Sequence, residues 1–302
     1  MICKDRVVAV TGAGRGLGRA HALEFAREGA LVVVNDLGVA RDGSGDASAG
    51  PAHDVVREIE ALGGRAVAHT EDIAADAGAA SLVATAVEAF GRLDVLVNNA
   101  GFLRDRMLVN LAEDEWDAVM RVHLKGHFLP LKHAGRYWRA ESKAGRPVDA
   151  RVVNTSSGAG LLGSVGQGNY SAAKAGIVGL TLVASAEMGR YGVTVNAIAP
   201  AARTRMTEEV FAQTMAKPAE GEFDAMAPEN VSPLVVWLGS AEARGVTGRV
   251  FEAEGGKICV MDAFRHGPTY DKGAKWEPAE IGEVVQGLLA KAAPPEPVYG
   301  AS

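Results

Sequence analysis

Short runs of aliphatic and β-branched residues alternate along the chain with longer segments in which apolar residues recur every three or four positions. Residues 7–10, 31–35 and 93–97 are such runs, and their length and composition are typical of strands buried on both faces. Segments 55–62 and 82–90 instead carry their apolar residues on one helical face. This regular alternation predicts an α/β fold with a parallel, doubly wound sheet.

The alternation continues to about residue 256. Further short apolar runs are found at 65–69, 152–153, 193–198 and 249–251. They bring the predicted strands to seven, and a single three-layer domain with helices on both faces of the sheet accounts for residues 1–256. Residues 257–302 are predicted to be a C-terminal extension with one amphipathic helix.

Two segments lie outside the regular alternation. Residues 202–227 mix charged and apolar residues without a clean period, which suits a movable substrate lid, although an ordinary pair of surface helices is the alternative. Pro278 is expected to begin the helix of the extension. Its apolar stripe consists of Ile281, Val284, Val285, Leu288 and Leu289. The stripe must be covered, either by the chain's own domain, which we favour, or by a neighbouring subunit.

Composition and charge restrict the kinds of partner. The 302 residues are 48% hydrophobic and carry a net charge of -6 with mixed signs, which argues against nucleic acid as the main partner. Cys3 and Cys259 have no paired spacing, so neither a disulfide framework nor a zinc site is expected. No apolar run has the length of a membrane span, and the first strand begins too early for a signal peptide. We therefore expect a cytoplasmic protein that does not contact a membrane.

A glycine-rich turn follows the first predicted strand. Residues 11–18, TGAGRGLG, join this strand to a helix at 19–28. Glycines let the backbone approach a pyrophosphate closely, and the helix N-terminus offers free N–H groups and the positive end of its dipole. The turn therefore predicts a dinucleotide site. The residues expected to form it are Gly12, Arg15, Gly16, Leu17 and Gly18.

Asp36 ends the second predicted strand, eighteen residues after Gly18. A carboxylate at this place can accept hydrogen bonds from an adenosine ribose diol. It would repel a 2′-phosphate, so NAD is favoured over NADP, although Arg15 would partly counter this repulsion. A solvated strand end is the alternative interpretation. Asp72 and Ile73 follow the third strand and are expected to border the adenine.

Three polar residues are suited to the interconversion of alcohols and carbonyls. Tyr170 and Lys174 lie one turn apart if the chain is helical from about Gly168, and a cation beside a phenol lowers the pKa of the phenol. The phenolate would then act as a general base for an alcohol proton. Ser157 follows the apolar run 152–153, so its hydroxyl is expected at a strand end, where it can bind a substrate oxygen. When this spacing of tyrosine and lysine occurs alone, the tyrosine more often only packs in a helix and has no catalytic role.

Four motifs occur together in one order and spacing. They are the glycine turn 11–18, the run Asn98-Asn99-Ala100-Gly101, Ser157, and Tyr170 with Lys174. In this combination the first 256 residues or so resemble the short-chain dehydrogenase/reductase family. The resemblance implies a Rossmann-type sheet of seven parallel strands in the order 3-2-1-4-5-6-7, and a homo-oligomer that is a tetramer or a dimer.

The same resemblance implies NAD-dependent interconversion of a secondary alcohol and a ketone. Segments 34–38, 103–106, 122–124 and 227–229 are similar to the (3R)-hydroxyacyl-CoA dehydrogenase part of peroxisomal multifunctional enzymes, and to related bacterial steroid and acyl-CoA dehydrogenases. A 3-hydroxyacyl-CoA thioester or a hydroxysteroid is therefore the expected substrate. A catalytically silent nucleotide-binding or scaffold protein of the same fold is the alternative, against which the intact catalytic residues argue.

The resemblance also implies roles for individual residues. Those expected to contact the cofactor are Asn99, Ala100, Gly101, Tyr170, Lys174, Pro200, beside the nicotinamide carboxamide, and Thr204, near the phosphates. Of the catalytic set of Asn, Ser, Tyr and Lys, the last three match. His123 stands where the asparagine is usual and is expected to hold a water, as in a subgroup of the family. Pro200 is followed by Ala201 where glycine is more usual.

His123 and His127 have the spacing of a zinc-protease helix. Such a site needs a carboxylate between the histidines as general base, and Lys125 cannot serve. Two unrelated helix histidines are the simpler interpretation. No metal is expected.

Overall fold

Eight strands form one sheet in the described part of the chain. The structure is a computed structural model that describes residues 1–39, 48–203, 216–219, 221–262 and 264–301. The strands are β1 (Val7–Thr11), β2 (Leu31–Asn35), β3 (Arg65–His69), β4 (Val95–Asn98), β5 (Ala150–Thr155), β6 (Val193–Ala201), β7 (Val250–Glu254) and β8 (Lys257–Val260). Their order is β3-β2-β1-β4-β5-β6-β7-β8, and β8 pairs antiparallel to β7 while the others are parallel. The predicted order of the seven parallel strands is confirmed.

Helices cover both faces of the sheet. The α-helices of the described residues are α1 (Gly16–Arg27), α2 (Gly50–Ala61), α3 (Asp76–Phe90), α4 (Glu113–Met120), α5 (Gly126–Lys143), α6 (Gly158–Leu162), α7 (Gly168–Met188), α8 (Ser232–Gly239) and α9 (Pro278–Leu289). One layer contains α1, α2 and α8, and the other contains α3, α5 and α7. This is the three-layer, Rossmann-type architecture that the sequence predicts.

Adjacent residues of one strand belong to two different cores. Val8 of β1 packs in a cluster with Phe25 of α1, whereas Val7 packs on the opposite face in a cluster with Trp138 of α5. All four side chains are buried. Because both faces of the sheet are covered, its strands are continuous apolar runs and do not alternate with polar residues.

Buried amides join the centre of the sheet to α7. Asn98 at the end of β4 donates its Nδ2 to Oδ1 of Asn154 in β5 at 3.0 Å, and Asn154 donates to Oγ1 of Thr181 in α7 at 2.9 Å. The three side chains are fully buried, where satisfied hydrogen bonds fix a single arrangement. They therefore hold α7 against the carboxyl ends of β4 and β5.

The sheet is larger than the sequence indicates. Strand β6 continues past residue 198 to Ala201, and Pro200 pairs in register with Ala253 of β7. The glycine pair 255–256, which was expected to end the last strand, is the two-residue turn of a hairpin that leads into β8. The predicted loop 37–50 lies partly, and the predicted lid 202–227 lies largely, outside the described residues.

The helix of the C-terminal extension begins at Pro278, as predicted, but it does not pack on the domain. Ile281, Val285 and Leu289 of its apolar stripe are 37%, 41% and 61% exposed, and none of its residues is buried. The expectation that the chain's own domain covers this stripe is therefore wrong for the described residues. Among the described helices, none combines the length and the hydropathy that a membrane span needs.

Candidate active site

A cleft opens at the carboxyl edge of the parallel strands. It collects the predicted site residues Gly12, Arg15, Gly16, Leu17, Gly18, Asp36, Asp72, Ile73, Asn99, Ala100, Gly101, His123, Tyr170, Lys174 and Pro200. Ser157 adjoins this set through Tyr170, to which its hydroxyl is hydrogen-bonded. Thr204 lies outside the described residues. Residues that are far apart in sequence meet here because the carboxyl ends of parallel strands lie at one edge of a sheet.

The glycine turn is a close-packed cradle. A Cβ atom added to Gly12, whose φ is +61°, would lie 2.7 Å from Cα of Ala100, and one added to Gly18 would lie 2.2 Å from the carbonyl oxygen of Gly12. Helix α1 begins at Gly16, and the side chain of its N-cap residue, Arg15, makes no capping hydrogen bond among the described residues. The N–H groups at a helix N-terminus suit a phosphate, so the turn fits a dinucleotide.

Thr11 and Asn99 fasten this turn to the end of β4. Oγ1 of Thr11 accepts the backbone N–H groups of Asn99 at 3.0 Å and Ala100 at 3.2 Å. Asn99 in turn donates its Nδ2 to the carbonyl oxygens of Thr11 at 3.0 Å and Gly12 at 3.2 Å. Thr11 is not among the site residues expected from the sequence. Its place as the last residue of a strand before the glycine turn was the only signal.

Both oxygens of Asp36 hold backbone segments. Oδ2 accepts the N–H of Gly14 at 2.8 Å, and Oδ1 accepts the N–H of Gly38 at 2.7 Å. Asp36 therefore shapes the glycine turn and the start of the following loop, and it also places a carboxylate in the cleft. Arg15, the predicted counter-charge, points toward that loop and donates to the carbonyl oxygen of Val39 at 3.4 Å.

The end of β3 borders the same cleft. Oδ1 of Asp72 accepts the N–H of Ala74 at 2.8 Å, and its carboxylate pairs with Arg121. Ile73 is 5% exposed and packs with the core while it lines the cleft. The pair thus forms a firm, partly apolar wall, as the adenine prediction requires.

Tyr170 and Lys174 lie one turn apart on α7, which begins at Gly168 as predicted. Nζ of Lys174 is 5.5 Å from the centroid of the Tyr170 ring and donates to the carbonyl oxygen of Thr155 at 2.6 Å. Ser157 is the N-cap of α6, where its Oγ accepts the N–H of Ala159 at 3.2 Å. The hydroxyl, the phenol and the ammonium are therefore brought together. Thr155 is not among the site residues expected from the sequence, because it binds Lys174 through its backbone carbonyl, which every residue type has.

Burial, rather than the neighbouring cation, dominates the ionisation of this pair. It raises the pKa of Tyr170 to about 12, and the hydrogen bond from Ser157 only partly opposes this. Burial also lowers the pKa of Lys174 to about 7. The expectation that Lys174 depresses the pKa of Tyr170 is therefore not met in this structure. Both charged forms lose hydration, and the ammonium is directed to the Thr155 carbonyl.

His123 lies in a single turn of π-helix, residues 121–125, between α4 and α5. Its Nε2 is 2.7 Å from the carbonyl oxygen and 3.1 Å from the amide nitrogen of Phe102, and its ring meets the Tyr170 ring edge to face at 5.1 Å between centroids. Burial lowers the pKa of His123 to about 3, so the ring is neutral near neutral pH. Such π-turns frequently occur at functional sites.

The imidazoles of His123 and His127 contact different parts of the backbone. Nε2 of His127 accepts the N–H of Thr155 at 3.4 Å, whereas Nε2 of His123 lies against Phe102. Both rings are buried. In the described part of the chain, no group of three or more His, Cys, Asp or Glu residues is placed to hold a metal ion.

Known proteins share this arrangement of sequence and fold. Residues 6–215 match the family model described as short chain dehydrogenase. Hydroxyacyl-CoA dehydrogenase ChsB1 of Mycobacterium tuberculosis is 46% identical over 292 residues, which are 94% of this chain and 89% of that protein. Peroxisomal multifunctional enzyme type 2 of Mus musculus is 44% identical over 253 residues, 84% of this chain and 32% of that protein.

A solved structure agrees with these relatives. The crystal structure of a short chain dehydrogenase from Mycobacterium avium is similar with a TM-score of 0.89 and 65% sequence identity, and the match covers 100% of both chains. The family model alone spans more than half of this chain. The chain belongs to the short-chain dehydrogenase family.

Proposed function

We propose that this oxidoreductase converts the 3-hydroxyl group of an acyl-CoA thioester to a ketone with NAD, and that a hydroxysteroid is its second candidate substrate. The observation that carries the reaction is the meeting of Ser157, Tyr170 and Lys174 beside the glycine cradle. The thioester is supported by the 46% identity to a relative named hydroxyacyl-CoA dehydrogenase. A silent nucleotide-binding protein would not need these three residues together.

The residues at the cleft fit a dinucleotide. The free N–H groups at the start of α1 would hold its pyrophosphate, Asp36 its adenosine ribose, and Pro200 would lie beside its nicotinamide carboxamide. Bound NAD would supply a hydride acceptor. The negative charge of Asp36 disfavours the additional phosphate of NADP. The protein's own side chains would bind the substrate oxygen and move the alcohol proton.

Each catalytic side chain has one task in this proposal. Ser157 donates a hydrogen bond to the substrate oxygen, and Tyr170 takes the alcohol proton during oxidation and returns it during reduction. Lys174 is fixed by the Thr155 carbonyl beside the Tyr170 ring, where it would hold the ribose of the bound dinucleotide. His123 positions Tyr170 and the Phe102 backbone, because its neutral ring touches both.

The remaining predictions extend this proposal. The catalytic unit is residues 1–256, with 257–302 as an extension that takes no part in the redox step. The protein acts as a homo-oligomer, a tetramer or a dimer, in the cytoplasm. These statements rest on the sequence and on family membership.

Replacing Tyr170 by phenylalanine tests the reaction. Oxidation of a (3R)-3-hydroxyacyl-CoA, followed by NADH absorbance, should fall by at least about 10²-fold, because the proton acceptor is lost. NAD affinity, measured by calorimetry, should stay near that of the unchanged protein. Residual turnover close to the original rate would disprove the role of Tyr170, and an unchanged protein inert on thioesters, hydroxysteroids and simple secondary alcohols would support the silent alternative.

Asp36→Ala and Asp36→Asn together test the cofactor. Both changes remove the charge, so the ratio of kcat/KM with NAD to kcat/KM with NADP should fall by about tenfold or more, ~1.4 kcal/mol. Asp36→Asn keeps one acceptor for Gly14 or Gly38, and should therefore retain more total activity than Asp36→Ala. An unchanged protein that already prefers NADP would contradict the proposal.

His123→Asn and His123→Leu separate positioning from proton transfer. Asparagine can still hydrogen-bond to Phe102, so kcat should remain within about tenfold, ~1.4 kcal/mol in barrier, whereas leucine should cost more. Rates for both variants are measured on the same thioester. Large losses in both would show that the imidazole itself carries the proton. A leucine variant as fast as the unchanged protein would remove His123 from the mechanism.

The rate of oxidation should rise from neutral to alkaline pH. Burial raises the pKa of Tyr170, and its deprotonated form, which is the base, is populated only as pH increases toward that pKa. The reverse reduction uses the protonated phenol, which remains the main form well below that pKa, so its kcat should stay nearly constant over the same interval. Stopped-flow measurement in both directions checks this. Parallel profiles in the two directions would count against Tyr170 as the titrating group.

A further inference from the structure

The end of the chain folds back onto the segment that joins Ser157 to Tyr170. The backbone N–H of Val165 donates to the carbonyl oxygen of Tyr299 at 3.0 Å, and the N–H of Tyr299 donates to the carbonyl oxygen of Gly163 at 3.2 Å. Ser164 and Tyr299 form a parallel β-bridge. The extension thus joins the catalytic segment through a single β-bridge, although its helix α9 stays exposed.

Tyr299 and Val298 occupy space that two glycines leave open. A Cβ atom on Gly158 would lie 3.0 Å from both Cε2 and the hydroxyl oxygen of Tyr299, and one on Gly163 would lie 3.3 Å from Cγ1 of Val298. Gly158 directly follows Ser157. The chain end therefore packs one residue away from the hydroxyl that is proposed to bind the substrate oxygen.

The catalytic segment is also held on its other side. The N–H of Arg106 donates to the carbonyl oxygen of Gly166 at 2.8 Å, and Nε2 of Gln167 donates to Oδ2 of Asp105 at 2.9 Å. Arg106 and Asp105 thus hold one side of the segment that joins Ser157 to Tyr170, and Tyr299 and its neighbours hold the other side. The chain end is therefore fixed in register and does not merely lie on the surface.

Three side chains of this contact form an apolar rim: Val165, Val298 and Tyr299. They are 48%, 43% and 47% exposed, so each presents about half of its surface to solvent. Burial, and after it the carboxylates of Glu252 and Glu254 at the end of β7, raise the pKa of Tyr299. Tyr299 is therefore uncharged and lies at the same carboxyl edge as the cleft. An apolar rim at this place suits a hydrocarbon chain attached to the reacting carbon.

We propose that Tyr299 is a specificity-determining residue, whose ring on Gly158 forms a wall for the apolar acyl part of the substrate. This inference rests on the proposed function. The reacting carbinol meets Ser157 and Tyr170, and an acyl chain that leaves the site past Gly158 meets the apolar rim. A long acyl chain should therefore gain from the ring, and a short one should not reach it.

The test compares two thioesters, (3R)-3-hydroxybutyryl-CoA and (3R)-3-hydroxyhexadecanoyl-CoA, on the full chain with NAD. Tyr299→Ala should raise KM for the long thioester by about tenfold, since it removes a large apolar contact, and change KM for the short one by less than about twofold. Tyr299→Phe keeps the ring and should restore the original ratio. Values of kcat should change little with either substrate, because the ring does not touch the reacting atoms.

Tyr270→Ala is the matched control. Tyr270 is a tyrosine of the same extension, 62% exposed, and it packs on Trp276 with 5.9 Å between ring centroids. Its removal should leave both KM values unchanged. Thermal unfolding of every variant shows whether the fold is kept. If Tyr299→Ala fails to fold, Tyr299→Leu and deletion of residues 298–302 provide the same comparison.

Equal effects of Tyr299→Ala on both thioesters, or no effect on either, would overturn the inference. A further measurement tests the contact itself: Gly158→Ala should raise KM for the long thioester in the unchanged background and do so much less beside Tyr299→Ala, where the ring is absent. If the unchanged protein oxidised neither thioester, the proposed function would fail. The role of Tyr299 could then still be tested by measuring the affinity of both thioesters by calorimetry. If the long thioester bound the unchanged protein and Tyr299→Ala equally well, Tyr299 would have no role in specificity.

Discussion

The catalytic geometry depends on one buried contact, the hydrogen bond from Nζ of Lys174 to the carbonyl oxygen of Thr155. It joins α7 to the end of β5, and Lys174 is only 2% exposed. An ammonium in such surroundings is costly unless it is paired, so the carbonyl and the neighbouring phenol must share its stabilisation. Deeper in the molecule, Asn154 and Thr181 join the same strand and helix. Two separate hydrogen bonds, one from Lys174 and one to Thr181, therefore hold α7, the helix that carries Tyr170, against β5.

The same edge of the sheet also explains how the cofactor half and the catalytic half come together. Thr11 and Asn99 bind the glycine turn to the end of β4, and Asn98 binds β4 to β5. A shift of any one of these strand ends would move both the phosphate cradle and Ser157. Since β1, β4 and β5 are neighbours in the sheet, their parallel order is a condition of the site as well as a property of the fold.

Local geometry made part of the site predictable from sequence. Tyr170 and Lys174 are one turn apart, and a helix places such residues on one face whatever surrounds it. Strands buried on both faces are visible as apolar runs, so the strands themselves could be expected, whereas their order in the sheet was implied by the family resemblance. The ionisation of Tyr170 could not, because it depends on burial by segments distant in sequence. The second role of Asp36, as acceptor for Gly14 and Gly38, likewise arises only when two loops meet.

The extension is the part in which sequence patterns were least informative. An apolar stripe predicts a helix, but it does not say which surface covers it, and in the described residues α9 remains exposed. The contact that reaches the site is made instead by Tyr299, in a segment without periodicity. Its only sequence signal was glycine at 158 and 163, where a Cβ atom would come within 3.0 Å of Tyr299 and 3.3 Å of Val298.

Some of the buried polar atoms without a hydrogen-bond partner among the described residues lie close together at the carboxyl edge of the sheet. They are Oδ1 of Asn98, Nδ1 of His123 and Oγ1 of Thr155. Leaving such a group unpaired costs about 1–3 kcal/mol, so a polar ligand bound in the cleft would gain free energy by pairing with it. Functional sites commonly violate packing rules that the rest of a fold obeys. These groups lie between β4, β5 and the π-turn, beside the residues for which catalytic roles are proposed.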